Sequence, residues 1–231
     1  MDLTEKTVQK HYVYEGKIIS VRCDEALRPD GKPCKRELIE HPGGACVLYV
    51  EDGRMLLVKQ FRYAYGEVLY EIPAGKLEAG EDPALAAARE LSEEAGVEAE
   101  KLELLFVMYP TPGYTNEKIY IYRASGGRRT DAHPDEGEFL DLVKLPFSEL
   151  LAMVKRGEIS DGKTAIAALQ AEQSSAQSFS QSRDISQQNK NKGPAFSRAL
   201  FTQRRYYHVS NKRAFWGDAG WKRSKPLHDQ K

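Results

Sequence analysis

The sequence predicts an α+β protein in which a mixed β-sheet has helices on both faces and follows a small antiparallel β subdomain. Short runs of β-branched and aromatic residues, separated by turn sequences, predict strands along the chain as far as residue 144. Two stretches carry helical signals: residues 83–95 contain mostly strong helix formers, and residues 146–156 place apolar side chains on one face. In the basic tail at 171–231, the Ser- and Gln-rich stretch 173–188 has almost no branched apolar residues and the remainder has no periodicity, so we expect the tail to be disordered.

Residues 1–42 form the predicted β subdomain. Two strand-like runs within residues 11–22 are separated by Glu15-Gly16, which is a hairpin signal. A second turn is predicted at residues 29–32 and a third strand at residues 35–41. So small a sheet has little core of its own, and we therefore expect it to pack on a partner surface.

The second predicted domain, residues 43–170, contains the main sheet. It begins with a buried strand at residues 45–50, which a tight turn at residues 51–54 joins to the next strand. The remaining predicted elements, in chain order, are strands 55–62 and 68–72, helix 83–95, strands 102–109, 117–123 and 139–144, helix 146–156 and a short helix at 163–170.

The helix at residues 83–95 carries the densest chemistry in the chain. Asp82 is a suitable N-cap before Pro83, and Gly96 is placed to end the helix. Glu90 and Glu94 are four residues apart and therefore project from one side, together with Glu93. Because like charges at this spacing weaken a helix, a divalent cation would offset their repulsion. Carboxylate oxygens suit Mg²⁺, with Mn²⁺ as a possible substitute.

The stretch Gly75–Val97 also fits a longer pattern, G-x5-E-x7-R-E-U-x-E-E-x-G-U, in which U is apolar. The fixed positions are occupied by Gly75, Glu81, Arg89, Glu90, Leu91, Glu93, Glu94, Gly96 and Val97. This pattern is the Nudix box, and the chain resembles the Nudix hydrolases over about residues 5–170. The resemblance implies a Nudix α/β/α sandwich.

The same resemblance implies roles for the box residues. Glu90, Glu94 and the carbonyl oxygen of Ala74 are expected to bind the metal, and Glu93 to act as a further ligand or to support catalysis. Glu81 and Arg89 are expected to form an ion pair that holds the loop against the helix.

Features outside the box resemble the ADP-ribose pyrophosphatase subfamily. These features are the N-terminal β subdomain, a proline (Pro112) 15 residues after Val97, the acidic loop at residues 136–138 and the Asp-Gly-Lys-Thr sequence at 161–164. The implied reaction is Mg²⁺-dependent hydrolysis of ADP-ribose to AMP and ribose 5-phosphate. One alternative is the same chemistry on another nucleoside diphosphate compound, such as a nucleotide sugar, NADH or a dinucleoside polyphosphate. A second alternative is a ligand-sensing Nudix protein without catalysis.

The resemblance places the general base in the acidic loop, with Glu138 as the first candidate and Glu136 as the second. The implied substrate-binding residues are Arg36, Arg62, Glu71, Pro112 and Glu117, with Arg36 reaching across a homodimer formed by the β subdomain. Tyr12 or Phe61 could stack on adenine, although core packing is the commoner role of an aromatic side chain. The expected partners are therefore a small nucleotide substrate and a second copy of the chain.

Composition and charge narrow the classes of partner, cofactor and cellular location that fit the chain. The 34 basic and 34 acidic residues balance overall, but residues 1–170 are acidic and residues 171–231 are basic. The tail mixes aromatic with basic residues, as single-stranded nucleic-acid binders do, yet it has no recognisable RNA-binding motif, so we expect no nucleic-acid partner. Three cysteines without paired spacing argue against disulfides and zinc. Cysteines that stay reduced are typical of the cytoplasm. Since the sequence also has no apolar run of membrane-spanning length, we expect a cytoplasmic protein.

Overall fold

The computed structural model describes residues 1–173 and 206–208. Its first sheet contains strands β1 (Lys6–Gln9), β2 (Tyr12–Glu15), β3 (Ser20–Leu27) and β4 (Pro33–Glu40). Strand β3 is central: β4 pairs with it along one edge, and β1 and β2 follow each other along the other edge, all antiparallel. The predicted hairpin and third strand are present, whereas β1 was not predicted because its sequence, Lys-Thr-Val-Gln, is largely polar.

The main sheet has eight strands in a mixed arrangement. Their order is β13-β6-β5-β11-β10-β14, with β7 also paired to β6 and β8 to β5; among these described strands, only the β5–β11 pair is parallel. The strands are β5 (Gly44–Glu51), β6 (Arg54–Arg62), β7 (Glu67–Glu71), β8 (Ala74–Lys76), β10 (Lys101–Met108), β11 (Ile119–Ser125), β13 (Leu140–Pro146) and β14 (Tyr206–His208). A separate short pair joins β9 (Val97–Glu98) to β12 (Arg128–Arg129).

In the part of the chain that the structure describes, three helices cover the two faces of this sheet. Helix α1 (Pro83–Ala95) packs on one face, and α2 (Phe147–Arg156) and α3 (residues 162–173) pack on the other. Successive side chains of β5 point to opposite faces of the sheet, and each face carries a hydrophobic core. Val47 faces α1, whereas Leu48 faces α2 and α3. The predicted α+β sandwich with a preceding antiparallel sheet is confirmed.

Strand β14 lies in the tail, for which the sequence predicted disorder. It pairs antiparallel with β10, and Tyr207 contacts the buried Tyr122 edge to face, with ring centroids 5.8 Å apart. At these three residues, and at residues 171–173, which belong to α3 and include the buried Ala171, the prediction of disorder was therefore wrong. The rest of the predicted tail beyond residue 173 lies outside the described residues. Across residues 1–173 and 206–208, no helix is long and apolar enough to cross a membrane.

Candidate active site

Helix α1 begins and ends at the residues that the sequence predicted. The Asp82 carboxylate accepts a hydrogen bond from the Ala84 N–H at 2.8 Å, and Pro83 occupies the first turn. Gly96 ends the helix with φ +58°, a left-handed conformation that favours glycine, and its N–H bonds back into the last turn. These two ends fix the helical register, which turns Glu90 and Glu94 towards the sheet.

Glu90 and Glu94 are carboxylates that the fold buries. Glu94 is only 3 % exposed and Glu90 only 7 %. Burial raises the pKa of Glu94 to about 8, although the Ala74 N–H opposes the shift by donating to its Oε2 at 2.9 Å. Burial also raises the pKa of Glu90 against the effect of Arg89. Within the described residues no cationic side chain forms an ion pair with Glu94, and the charge of Arg62 only partly offsets the effect of burial.

Arg89 forms hydrogen bonds with three carboxylates of the Nudix box. Its Nε donates to Glu81 Oε1 at 3.1 Å, and its Nη1 donates to Glu90 Oε1 at 2.7 Å and to Glu93 Oε2 at 2.9 Å. The Glu81–Arg89 ion pair that the resemblance implied is therefore present. Arg89 also holds Glu90 and Glu93 together, which the sequence did not predict. The side chain of Glu93 is more exposed than that of Glu90, at 21 % against 10 %.

The surroundings of Gly75 explain why the first fixed position of the Nudix box is a glycine. A Cβ at residue 75 would lie 1.9 Å from Glu90 Oε1, far inside normal contact distance. The backbone of β8 and the Glu90 carboxylate thus approach each other as closely as only glycine permits. Since Ala74 precedes Gly75, this contact and the Ala74–Glu94 hydrogen bond bring β8 against both buried acids.

The donor chemistry of this region fits a divalent cation. In the part of the chain that the structure describes, no three His, Cys, Asp or Glu side chains converge into a complete metal-ligating cluster. The two buried acids nevertheless provide hard oxygen donors beside the Ala74 backbone, and Glu94 has no cationic partner among the described side chains. Glu90 and Glu93 are held by Arg89, so a cation would have to compete with that guanidinium for their oxygens.

The acidic loop is anchored to the end of α1. The His133 N–H donates to the Glu93 carbonyl at 2.8 Å, and the Thr130 N–H donates to the Gly96 carbonyl at 2.9 Å. Both Glu136 and Glu138 are exposed on this loop. The charge of Glu138 contributes to the raised pKa of both Glu90 and Glu94, which places it on the side of the buried acids.

Arg62 and Glu71 lie on the neighbouring strands β6 and β7. Arg62 donates from Nε to Glu71 Oε1 at 2.6 Å and from Nη2 to Glu71 Oε2 at 2.7 Å. Glu71 is 1 % exposed and also forms an ion pair with Lys163 on α3. Burial raises the pKa of Glu71, but the bonds and charges of Arg62 and Lys163 outweigh it and lower that pKa overall. Arg62 also lowers the pKa of Glu94, so it lies near the buried acids.

The other predicted substrate residues lie at the rim or beyond it. Pro112 is exposed on the loop between β10 and β11, and the Glu117 carboxylate lies 3.5 Å from His41 Nδ1. Arg36 lies on β4 of the first sheet, where it forms a two-bond ion pair with Glu5. Among the described residues, no contact joins Arg36 to the box carboxylates of its own chain.

The two candidate stacking residues are both on the surface. Tyr12 is about half exposed, donates to Glu40 Oε2 at 3.0 Å and lies over the Arg22 guanidinium. Phe61 is also exposed, on β6 next to Arg62. The sequence alone assigns no role to Lys163, although this residue lies in the Asp-Gly-Lys-Thr sequence at 161–164 that resembles the subfamily.

Fold and site together define a Nudix hydrolase domain, and comparison with known families agrees. The NUDIX domain family matches residues 39–167, and the family described as nucleoside diphosphate sugar hydrolase N-terminal domain matches residues 5–39. The chain belongs to the Nudix family.

Two relatives illustrate its closer similarities. The chain is 39 % identical over 166 residues to a methanol dehydrogenase activator of Bacillus methanolicus, covering 71 % of this chain and 90 % of that protein. It is also 39 % identical over 168 residues to an ADP-ribose pyrophosphatase of Bacillus subtilis, covering 71 % and 91 %. A crystal structure of an ADP compounds hydrolase shares the fold with a TM-score of 0.66 and 19 % identity, covering 75 % of this chain and 95 % of that one.

Proposed function

We propose that the protein hydrolyses ADP-ribose to AMP and ribose 5-phosphate with the help of Mg²⁺. The observation that carries the proposal is the pair of buried acids, Glu90 and Glu94, on one helix beside the cationic Arg62. Glu94 has no ion-pair partner among the described side chains, a buried carboxylate in that position is unstable as an anion, and a divalent cation resolves that instability. The similarity to an ADP-ribose pyrophosphatase over nine-tenths of that protein supports the choice of substrate.

The reaction breaks one phosphorus–oxygen bond of the pyrophosphate. A water molecule attacks one phosphorus, the bridging oxygen leaves with the other phosphate, and the proton of the water passes to a base. Bound to Glu90, Glu94 and the Ala74 carbonyl, with Glu93 as a further donor, Mg²⁺ would neutralise diphosphate charge and lower the pKa of a coordinated water. Mn²⁺ offers the same oxygen-ligand chemistry.

The chain's own residues then bind and orient the substrate. Arg62, held by Glu71, presents a guanidinium to the anionic diphosphate. Glu138 is the proposed base, because its charge is felt by both Glu90 and Glu94, and Glu136 on the same loop is the second candidate. Pro112 and Glu117 are proposed to shape the substrate rim. Both loop acids are exposed here, so closure of the loop is expected when substrate binds.

We further propose that the protein works as a cytoplasmic homodimer. Apolar side chains of the first sheet and its turns are exposed, among them Val8, Tyr12, Val13, Tyr14 and Ile18. A second copy of the chain would cover them and would bring its Arg36 towards the site. The three free cysteines suit a reducing compartment. Light scattering tests the assembly, and a stable monomer would contradict both the dimer and the role of Arg36.

A panel of substrates tests the activity. Purified protein is incubated with Mg²⁺ and ADP-ribose, nucleotide sugars, NADH or dinucleoside polyphosphates, and products are separated by chromatography. ADP-ribose should give AMP and ribose 5-phosphate at the highest kcat/KM. The match of residues 5–39 to a nucleoside diphosphate sugar hydrolase domain makes nucleotide sugars the second candidates. A nucleotide sugar ranking first would replace the proposed substrate, and no hydrolysis at all would favour a ligand sensor.

A further inference from the structure

The beginning of helix α3 contacts the strand end that leads to Ala74. Strand β7 ends at Glu71, Ile72 and Pro73 follow, and β8 begins at Ala74. Lys163 and Thr164 on α3 bind Glu71 and Ile72, respectively. These contacts join parts of the chain that are 92 residues apart in sequence. A helix on the far face of the sheet thereby reaches the backbone of the candidate active site.

Thr164 fixes the backbone at Ile72. Its side chain is fully buried, and its Oγ1 accepts a hydrogen bond from the Ile72 N–H at 2.8 Å. The same hydroxyl donates to Asp161 Oδ2 at 2.5 Å, so its orientation is set. Without the hydroxyl, the Ile72 N–H would lose its side-chain acceptor in a buried place. Since Ile72 is two residues before Ala74, a shift here would reach the N–H that binds Glu94.

Lys163 fixes the carboxylate of Glu71. Its Nζ forms ion pairs with Glu71 Oε2 and, at 2.8 Å, with Asp161 Oδ1. Asp161 in turn accepts from the Thr164 N–H at 3.0 Å, so its charge is stabilised by the first turn of α3. Glu71 therefore has two cationic partners, Arg62 and Lys163. A buried carboxylate that loses one of two partners is destabilised and rearranges.

Arg62 is placed to carry this effect to a substrate. Its side chain is 41 % exposed, whereas the side chain of its partner Glu71 is 2 % exposed. Nε and Nη2 bind Glu71, and Nη1 has no hydrogen-bond partner among the described residues. The guanidinium is thus anchored on its buried side and open on the other. The angle at which it faces an anion depends on where Glu71 is held.

We propose that Lys163 and Thr164 are positioning residues of this active site. Lys163 holds Arg62 towards an anionic diphosphate through Glu71, and Thr164 holds Ala74 next to Glu94 through Ile72. Neither residue needs to touch the substrate. The proposal deepens the proposed function and rests on it, since the diphosphate is the group that Arg62 would meet.

A double-mutant cycle tests the action of Lys163 through Glu71. Lys163→Met and Glu71→Gln should each raise KM for ADP-ribose about tenfold, which corresponds to ~1.4 kcal/mol, with a smaller change in kcat. The double variant should raise KM no more than Glu71→Gln alone, because the two act in one chain of contacts. Lys163→Arg should restore most of the affinity. Lys155→Met, which removes a more exposed lysine ion-paired to Glu172, is the matched control and should leave KM unchanged.

A second readout does not need turnover. Binding of inorganic pyrophosphate in the presence of EDTA, measured by calorimetry, should weaken about tenfold in Lys163→Met and remain normal in Lys155→Met. For Thr164→Val, hydrogen exchange at the Ile72 amide should become faster, and the Mg²⁺ concentration for half-maximal activity should rise. Thr164→Ser should behave as the wild type in both measurements.

The outcomes separate this proposal from the proposed function. Wild-type protein that does not hydrolyse ADP-ribose refutes the proposed function, and the pyrophosphate and hydrogen-exchange results then decide the positioning roles alone. If the KM of the double variant rose by the product of the two single effects, Lys163 and Glu71 would act independently and the role of Lys163 would be overturned. Normal pyrophosphate binding in Lys163→Met would overturn it as well. Unchanged exchange at Ile72 in Thr164→Val would overturn the role of Thr164. A Lys163→Met variant that does not fold is replaced by Lys163→Gln in the same cycle.

Discussion

Replacement of Gly75 by alanine tests how tightly the site is built. The new Cβ would lie 1.9 Å from Glu90 Oε1 and 2.1 Å from Glu90 Cδ. Real Cβ atoms essentially never approach another heavy atom closer than 3.0 Å, so the carboxylate must retreat by about 1 Å. A displacement of that size at a reacting centre costs on the order of 10²-fold in rate. Because the atoms that the Cβ meets are the far end of the Glu90 side chain, the retreat should change the position of the carboxylate more than the stability of the fold.

The assay compares kcat, the Mg²⁺ concentration for half-maximal activity and the melting temperature of Gly75→Ala with those of the wild type. We expect kcat to fall about 100-fold and the Mg²⁺ requirement to rise, because Glu90 is a proposed metal ligand. Gly162→Ala is the matched control, since a Cβ at residue 162 meets nothing within 4 Å. A Gly75→Ala enzyme with wild-type kcat and Mg²⁺ requirement would refute the argument that close approach to Glu90 positions the metal.

Three further predictions concern other parts of the molecule. Glu94→Gln should abolish turnover, whereas Glu138→Gln should mainly lower kcat by 10²–10⁴-fold; equal, small effects in steady-state assays would contradict both roles. The bonds from Arg129 and Lys144 lower the pKa of Glu51 to about 2, so its stabilising effect is complete above pH 4.5 and disappears as pH falls towards 2. Glu51→Gln should therefore cost about 1 kcal/mol at pH 7, and urea unfolding should show the difference vanish in acid. Tyr207→Ala should lower the free energy of unfolding by about 1 kcal/mol without changing kcat; an unchanged unfolding midpoint would mean that β14 contributes nothing.

Local signals explain why the helical part of the site was predictable. Asp82, Pro83 and Gly96 act on their immediate neighbours, so the bounds of α1 follow from the sequence alone. The period of the helix then places Glu90 and Glu94 on one side. The strands of the main sheet were predictable because β-branched and aromatic residues recur in short runs between turns.

Features that depend on tertiary contacts could not be predicted. Strands β1, β8, β9 and β12 have two to four residues each, too few for a pattern, and exist through pairing with distant partners. Strand β14 lies in a polar tail, and only its pairing with β10 and the contact of Tyr207 with Tyr122 reveal it.

The same limit applies to side-chain roles within the site. The contact of Lys163 with Glu71 spans 92 residues, and no spacing rule links them. Glu136 and Glu138 are close in sequence and both exposed, so the sequence alone cannot decide which of them serves as the base. Of the two, Glu138 is the proposed base because its charge contributes to the raised pKa of both Glu90 and Glu94.

The most direct measurement of the central claim is product analysis of ADP-ribose hydrolysis in wild-type protein and Glu94→Gln, with Mg²⁺ and with EDTA. We expect AMP and ribose 5-phosphate in equal amounts from the wild type with Mg²⁺. We expect neither product with EDTA or from a folded Glu94→Gln protein. Equal product formation by Glu94→Gln, or hydrolysis that persists in EDTA, would contradict a reaction that depends on a cation held by the buried acids.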